Sequence, residues 1–241
     1  MSLTVTLTII AVVAVAATVQ GIVGFGFALF VAPVTAAVVD PKAAVVVVTL
    51  LGSIIPCGMA WANRTHIVAE PATRISIGVV LGAPLGLLVL LHLPNRGLKI
   101  SIAVAVLTSV LVLWRGAHLH AVSAALDVGV GVVSGALATS TGTNGPPVVL
   151  ALQARRLQPD AFRATSAVCL LVANAITAVL LAVSGQLHGR LVVLCALAVP
   201  AVLVGWWAGF RLRQRIPPER FRSIVLGFLA TSAAVAIVSA W

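Results

Sequence analysis

Long runs of apolar residues, separated by short polar connections, dominate the hydrophobic pattern of this chain. The runs are continuous rather than alternating, and most approach the roughly 20 residues that cross a bilayer as a helix. Such a run predicts a membrane-spanning helix, because backbone groups in lipid must bond within their own segment. The pattern predicts ten helical segments: 3–19, 24–39, 43–62, 75–93, 99–114, 121–138, 146–155, 161–183, 190–210 and 222–240.

Two apolar stretches are too long for a single crossing, and each contains an interruption. Residues 3–39 would extend about 55 Å as one helix, whereas the hydrocarbon core is about 30 Å thick. The middle of this stretch reads Q-G-I-V-G-F-G-F, beginning at Gln20. Residues 121–154 are interrupted by T-S-T-G-T-N-G-P-P, beginning at Thr139. Each stretch therefore predicts two helical segments that meet at a break and either cross the membrane twice or form a re-entrant hairpin.

Composition excludes a soluble globular protein. Of the 241 residues, 61% are hydrophobic and 8% are charged, whereas a soluble domain carries about a quarter charged residues. The net charge of +10 does not indicate nucleic-acid binding, because the basic residues lie in short connections between the apolar segments. Most of the 15 lysines and arginines fall in odd-numbered connections, which the positive-inside rule places in the cytoplasm. Both termini are then expected outside.

The two halves of the chain share a weak repeated pattern. L-G-A-P-L-G at 81–86 has a counterpart, V-G-W-W-A-G, at 204–209, and the glycines of both motifs are expected to pack against other helices of the chain. Each half holds five segments, an odd number, so the halves have opposite orientations. The sequence therefore predicts an all-α integral membrane protein, one membrane domain built from inverted repeats over 1–116 and 117–241. Transporters of this design bind substrate near mid-membrane, at interrupted helices.

The break in the second half predicts that one helix ends near Ala138 and another begins near Pro146. Gly142 and Gly145 permit backbone angles that other residues resist, and Pro146 and Pro147 suit the first turn of a new helix. A helix start offers free amides and a positive dipole end, which favour a small anion. The neighbouring side chains supply neutral donors: Ser140, Thr141, Thr143 and Asn144. The alternative is an ordinary loop outside the membrane.

The break in the first half is richer in glycine and poorer in hydrogen-bonding side chains. Gly21, Gly24 and Gly26 loosen the helix, and Pro33 is expected to interrupt it further on. Gln20 is the single residue of this break whose side chain is able to form hydrogen bonds. The two breaks occupy matching places in the halves, so an inverted repeat would direct both at one central site.

Other polar residues within the apolar segments are few. Asn174, in mid-segment, is expected to contact either substrate or a neighbouring helix. Asp127 either carries a coupling proton or, as we expect, reaches the membrane surface near the end of its segment. Arg163, at the cytoplasmic start of its segment, is either a positive-inside anchor or a charge that attracts anions. The cysteines and histidines show no metal-ligand spacing, so neither a metal site nor a cofactor is predicted.

At these residues the chain resembles the sulfite exporter TauE/SafE family of membrane transporters, over nearly its whole length. In the first half the resemblance is carried by residues 20–27 and Pro33, and in the second by 142–147 and the F-R-A-T motif at 162–165. The resemblance implies a duplicated transporter fold that moves small organic or inorganic anions, often containing sulfur, out of or into the cell. It also favours the anion-attracting interpretation of Arg163.

The predicted function is that of a secondary transporter for a small anion, such as sulfite or a sulfonate, in the inner (plasma) membrane. Its halves would alternate access to the central site, with a proton or sodium ion as the possible coupling ion. A channel for small anions or solutes is the alternative, and an enzyme is not expected, because the segments contain no nucleophile–base pair. The chain is expected as a monomer or homodimer. The candidate substrate-binding residues are Gln20, Gly21, Gly24, Gly26, Ser140, Thr141, Gly142, Thr143, Asn144, Gly145, Arg163 and Asn174.

Overall fold

The structure, a computed structural model, describes residues 2–115 and 123–213, and these ranges contain ten α-helices and no strand. The helices are α1 (Leu3–Val23), α2 (Phe27–Val38), α3 (Pro41–Leu51), α4 (Ile54–Ala62), α5 (Ala69–His92), α6 (Asn95–Trp114), α7 (Ala124–Thr141), α8 (Gly145–Ala154), α9 (Pro159–Val183) and α10 (Gly189–Arg213). Seven spans in the described ranges are long and apolar enough to cross a membrane, with α3 and α4 counted as one. The prediction of an all-α, multi-pass membrane protein is confirmed, and the predicted segment 222–240 lies outside the described residues.

Capping residues set several helix boundaries. The Asp40 side chain accepts a hydrogen bond of 2.7 Å from the Ala43 amide, and Pro41 occupies the first turn of α3. Ser123 caps α7 by accepting a bond of 3.1 Å from the Leu126 amide. Each cap satisfies an amide that has no partner within its own helix.

The third predicted segment, 43–62, is divided where the sequence analysis expected one continuous helix. A short turn at Gly52 and Ser53 separates α3 from α4. The Ser53 hydroxyl donates to the carbonyl of Thr49 at 2.6 Å, a backbone contact that disturbs regular helices. The turn lies halfway along the span.

Pro33 does not interrupt the chain, so the prediction of a helix break at this residue was wrong. The α2 helix continues through Pro33 from Phe27 to Val38. Prolines also lie inside α5 and α10. Helices in membrane proteins tolerate internal proline because neighbouring groups can satisfy the freed backbone carbonyls.

The most extensive helix pairs join the two halves of the chain: α5 packs against α7, and α1 against α10. The glycines at these interfaces leave no room for a Cβ atom, because Gly82 meets the Val132 carbonyl and Gly205 meets the Ala14 carbonyl. The expected packing role of the two glycine motifs is thereby confirmed. Contacts along each interface advance in the same direction on both helices, so the paired helices are parallel. The successive contacts are Gly78–Val128, Gly82–Val132 and Gly86–Ala136 in one pair, and Gly205–Ala14 and Gly209–Thr18 in the other.

The helices α7 and α8 form a hairpin whose two ends lie at the same end of the bundle. Asp127, in the first turn of α7, forms a salt bridge with Arg155, which directly follows α8. The start of α9 lies beside the start of α5, because the Val68 amide donates to the Thr165 hydroxyl at 3.0 Å. The helices α5, α7 and α9 therefore run in the same direction. The α8 helix runs back toward the end of the bundle at which α7 begins.

The helices α1 and α2 form a second hairpin, which enters from the opposite end of the bundle. The α4 helix leads directly into the start of α5, so α3 begins at the other end, where α2 stops. The α10 helix follows α9 and also begins there, and α1 runs parallel to α10. Both ends of the α1–α2 hairpin therefore lie opposite to those of the α7–α8 hairpin.

Candidate functional site

The tip of each hairpin is a short break at which the first helix ends on a left-handed glycine. Gly24 ends α1 with a φ of 95°, and Gly142 ends α7 with a φ of 77°. Each glycine amide donates to the carbonyl four residues earlier, that of Gln20 or Ala138. Only glycine adopts this backbone conformation without strain. The predicted breaks are present, although α7 extends three residues past the expected end at Ala138.

The two breaks meet around one buried cavity of about 30 Å³, which we call the central cavity. The first break contributes Gln20, Gly26 and Phe27, and the second contributes Asn144 and Gly145. A Cβ atom on Gly145 would lie only 3.9 Å from the Cβ of Phe25. The cavity has room for about two water molecules.

The middle portions of two spans complete the cavity wall. Leu170 and Asn174 lie halfway along α9, and Val48 and Gly52 lie halfway along the span formed by α3 and α4. Neither Val48 nor Gly52 is predicted from the sequence, although the Gly-Ser pair within an apolar segment signals a local irregularity.

Three side-chain amides face the central cavity, and two of them bond to each other. The Asn144 Nδ2 donates to the Oδ1 of Asn174 at 3.0 Å. Asn174 thus bonds to the second break, which is the predicted contact with a neighbouring segment, and it also lines the cavity. The side chain of Gln20 is buried, with the residue only 3% exposed, and its Oε1 has no hydrogen-bond partner. A buried polar atom without a partner is costly, so Gln20 is poised to accept one.

The helices α2 and α8 both begin at the central cavity and direct the positive ends of their dipoles toward it. The first four amides of a helix have no partner within it. In α8, however, Pro146 and Pro147 occupy the first turn and carry no amide hydrogen. The second break therefore offers fewer backbone donors than the sequence analysis assumed, and side-chain amides carry more of its hydrogen bonding.

Arg163 lies beside the first break rather than in the cavity wall. Its Nη2 donates to the Gly21 carbonyl at 3.3 Å, and its Nε lies 3.7 Å from the position of a Cβ on Gly24. The guanidinium therefore caps the carboxyl end of α1, where unpaired carbonyls and a negative dipole end favour a cation. Its positive charge reaches this position from the other half of the chain.

The hydroxyl groups predicted to bind substrate bond elsewhere in the structure. Ser140 donates to the Ala136 carbonyl at 2.7 Å, while Thr141 bonds to Thr143 at 2.7 Å. Ser140 and Thr141 instead line a larger apolar groove of about 800 Å³ between α6 and α7. The structure does not bring these three side chains to the central cavity.

Two of the predicted glycines have packing contacts in addition to their place in the breaks. Gly21 faces α10, where a Cβ would lie 2.9 Å from the Trp206 carbonyl oxygen. A Cβ on Gly142 would lie 3.2 Å from the Cγ1 of Val48. These contacts require small residues whether or not a ligand is bound.

Asp127, which was expected to reach the membrane surface, is buried at the base of the α7–α8 hairpin. The residue is 1% exposed, and its carboxylate pairs with Arg155. Sequence spacing gave no sign of this pairing, because the hairpin brings together residues that are far apart in the chain. Within the described ranges, no group of three or more His, Cys, Asp or Glu side chains is placed to hold a metal ion.

Comparison with known proteins identifies the family of this chain. The family model described as "Sulfite exporter TauE/SafE" matches residues 9–236. The "Probable sulfite/organosulfonate exporter TauE" of Cupriavidus necator is 26% identical over 235 residues, covering 92% of this chain and 91% of that protein. No solved structure matches the chain significantly. The family consists of membrane transporters rather than enzymes, and the chain belongs to the sulfite exporter TauE/SafE family.

Proposed function

We propose that this protein is a secondary transporter that carries a small sulfur-containing anion, such as sulfite or a sulfonate, across the inner (plasma) membrane. The anion binds in the central cavity, and the protein exposes this cavity alternately to the two sides. The observation that carries the proposal is the meeting of two broken helices at one buried polar cavity, halfway along the spans that flank it. The name of the Cupriavidus necator relative supports the substrate class.

The inverted repeat of residues 1–116 and 117–241 is supported by a matched pair of helix contacts. Gly82 and Gly205 are the first glycines of the two repeated motifs, and they meet the carbonyls of Val132 and Ala14 respectively. Val132 and Ala14 each lie ten residues before the left-handed glycine of their own half. The first glycine of each motif thus packs against the equivalent turn of the first helix in the other half, as a two-fold pseudo-symmetric duplication requires.

The two hairpins provide a physical route for alternating access. The α2 helix, with 12 residues, and α8, with 10, extend about 18 and 15 Å, which is about half of the hydrocarbon core. The first helices, α1 and α7, are each long enough to cross the membrane, so in each hairpin the second helix is the half-length limb. These two short helices, which enter from opposite sides, both begin at the central cavity. A cavity of about 30 Å³ is smaller than a sulfonate requires, so substrate must widen it from one side at a time. This closed geometry favours a carrier over a channel.

Coupling at Asp127 is not part of the proposal, because its carboxylate is already paired with Arg155. The gradient of the substrate itself, of protons or of sodium ions supplies the energy. Sulfite-loaded proteoliposomes with a fixed internal buffer distinguish these sources when either ion gradient is imposed alone.

Counterflow in proteoliposomes tests the proposed function. Vesicles preloaded with unlabelled sulfite should take up external radiolabelled sulfite faster than empty vesicles, because a carrier returns to the outside more quickly when it is loaded. A channel would show no such acceleration, and absence of sulfite flux would contradict both functions.

A matched pair of variants locates the site within this assay. Asn144→Ala removes a cavity-lining amide and should lower sulfite affinity at least about tenfold. Ser140→Ala alters the same break on the side away from the cavity and should transport normally. Thermal unfolding of both purified variants controls for folding. Equal transport by both would place the substrate outside the central cavity.

A further inference from the structure

The central cavity is polar but carries no charge of its own. Within the described part of the chain, the residues that line it include the amides of Gln20, Asn144 and Asn174, and none of them is ionisable. Any counter-charge for an anion must therefore come from helix ends or from side chains just behind the wall.

The helix ends at the two breaks nearly cancel one another. Each break joins the carboxyl end of one helix to the amino end of the next, α1 to α2 and α7 to α8. The partial charges at these ends are about −0.5 and +0.5. Local orientation still favours an anion at the amino ends, but the summed charge of each break is close to zero.

Arg163 supplies a full charge beside one break only. It belongs to neither of the salt bridges formed among the described residues, and it contacts the first break at Gly21 and Gly24. At the corresponding place of the second break, Gly142 meets the apolar side chain of Val48. The Arg155 charge is neutralised by Asp127. Arg163 therefore adds one positive charge at the first break, which no salt bridge among the described residues offsets.

Gln20 provides an independent sign that the cavity holds a ligand. The residue is 97% buried and lines the cavity, and its Oε1 bonds to no other group. A protonated oxyanion such as HO–SO₂⁻ can donate a hydrogen bond to this oxygen. If the side-chain amide of Gln20 is rotated by 180°, its NH₂ group can instead donate to an oxygen of R–SO₃⁻.

We infer that the central cavity selects singly charged oxyanions over doubly charged ones, so that sulfite is carried as hydrogen sulfite. This inference rests on the proposed function and names the charge class of its substrate. One negative charge is balanced by Arg163, whereas a second would be buried without a partner. The cost of an unbalanced charge at membrane depth corresponds to at least about a 100-fold loss of affinity.

Methanesulfonate and sulfate are matched probes for this selectivity. Both are tetrahedral and have the same number of non-hydrogen atoms, but methanesulfonate carries one charge and sulfate carries two. Calorimetric titration of the purified protein at constant ionic strength should show methanesulfonate binding at least about 100-fold more tightly. Equal or tighter binding of sulfate would overturn the charge selectivity and leave the anion site intact. Failure of methanesulfonate, sulfate and sulfite alike would overturn the proposed function as well.

Substitutions at Gln20 separate charge from shape. Gln20→Glu keeps the side-chain size but adds a negative charge, and it should reduce methanesulfonate binding at least about 100-fold. Gln20→Leu removes the hydrogen bond without adding charge and should reduce binding about tenfold. Equal losses in the two variants would contradict the charge argument.

Arg163 is tested with a conservative rescue, because it also caps α1. Arg163→Gln should lower methanesulfonate affinity at least about tenfold, whereas Arg163→Lys, which retains the charge, should keep the preference for methanesulfonate over sulfate. If Arg163→Gln does not fold, the Arg163→Lys protein and the Gln20 pair still decide the result. If Arg163→Lys loses the preference for methanesulfonate over sulfate while its thermal stability is unchanged, the charge at this position is not the source of that preference.

Discussion

The two hairpins share one backbone design but differ in their side-chain chemistry. Both end their first helix on a left-handed glycine and begin the second within a few residues. The α1–α2 tip is mostly apolar, with Gln20 as its amide, and is capped by Arg163 from the other half. The α7–α8 tip is rich in hydroxyls, and its base is held by the Asp127–Arg155 ion pair.

This difference shows how one backbone design, used twice, can surround a cavity that is not symmetric. Backbone geometry is repeated because each half must break a helix and pack it against the other half. The side chains that touch the cavity are not repeated, and in the proposed function this asymmetry arranges different donors around the anion. The hydroxyls of the second tip mainly satisfy the backbone of α7, as the bond from Ser140 to Ala136 illustrates.

The largest predicted difference between the hairpins lies at the base of α7–α8. Asp127→Ala leaves Arg155, whose side chain is only 13% exposed, without its partner and should lower the free energy of unfolding by about 3–5 kcal/mol. Unfolding of the purified protein in lipid–detergent mixtures measures this change. The double variant Asp127→Leu with Arg155→Met should recover much of the loss, because it leaves no unpaired charge. A single variant as stable as the original chain would mean that the ion pair does not fasten the hairpin.

Substitutions at the α5–α7 and α1–α10 interfaces should lower the free energy of unfolding equally if the two halves are equivalent. Gly82→Ala against α7 and Gly205→Ala against α1 each force a methyl group onto a backbone carbonyl. Each should cost about 2–3 kcal/mol of unfolding free energy. Gly129→Ala in α7 is the matched control, since a Cβ there meets nothing within 4 Å. Thermal melts that show unequal losses for Gly82→Ala and Gly205→Ala would break the proposed equivalence.

The smallest predicted effects distinguish the tips themselves. Gly26→Ala and Gly142→Ala both place a side chain at positive φ, at a cost of about 1–2 kcal/mol each. Gly142→Ala should cost more, because its methyl group also meets Val48 at 3.2 Å, while Gly26 faces open space. Val48→Ala has a cavity cost of its own, so it serves as the background: in denaturant unfolding, adding Gly142→Ala to Val48→Ala should cost no more than Gly26→Ala costs in the original chain. A greater loss in Gly26→Ala would show that the first tip is the more constrained one.

Much of the fold could be predicted because lipid restricts the backbone so strongly. Nine of the predicted segments correspond to helical regions of the described chain, since a long apolar run has few alternatives to a helix in a bilayer. The positions of the breaks were predictable for a similar reason, because Gly24 and Gly142 occupy conformations that other residues resist. The effect of Pro33 was not, since tolerance of a proline depends on groups that pack around it.

The residues that line the central cavity could be predicted only in part. The central cavity is lined by Asn144, Asn174 and Gln20, because an uncharged amide in an apolar segment must find polar surroundings inside the protein. The hydroxyls of Ser140 and Thr141 bond to the backbone of α7 instead of lining the cavity, since a serine or threonine can bond to its own helix. Val48 and Gly52 were missed, because an apolar wall residue has no distinguishing pattern.

By itself, the sequence determined which segments are helices, where two of them break and which positions must be glycine, because these follow from local backbone geometry and from the absence of water in lipid. Only the tertiary structure decided that α8 returns beside α7, that Asp127 meets Arg155, and that Arg163 reaches the end of α1. Those contacts join residues distant in the chain, and their energies depend on how whole helices pack. The local sequence pattern does not specify such packing. The position of the Arg163 charge beside the cavity is therefore decided by the tertiary structure alone.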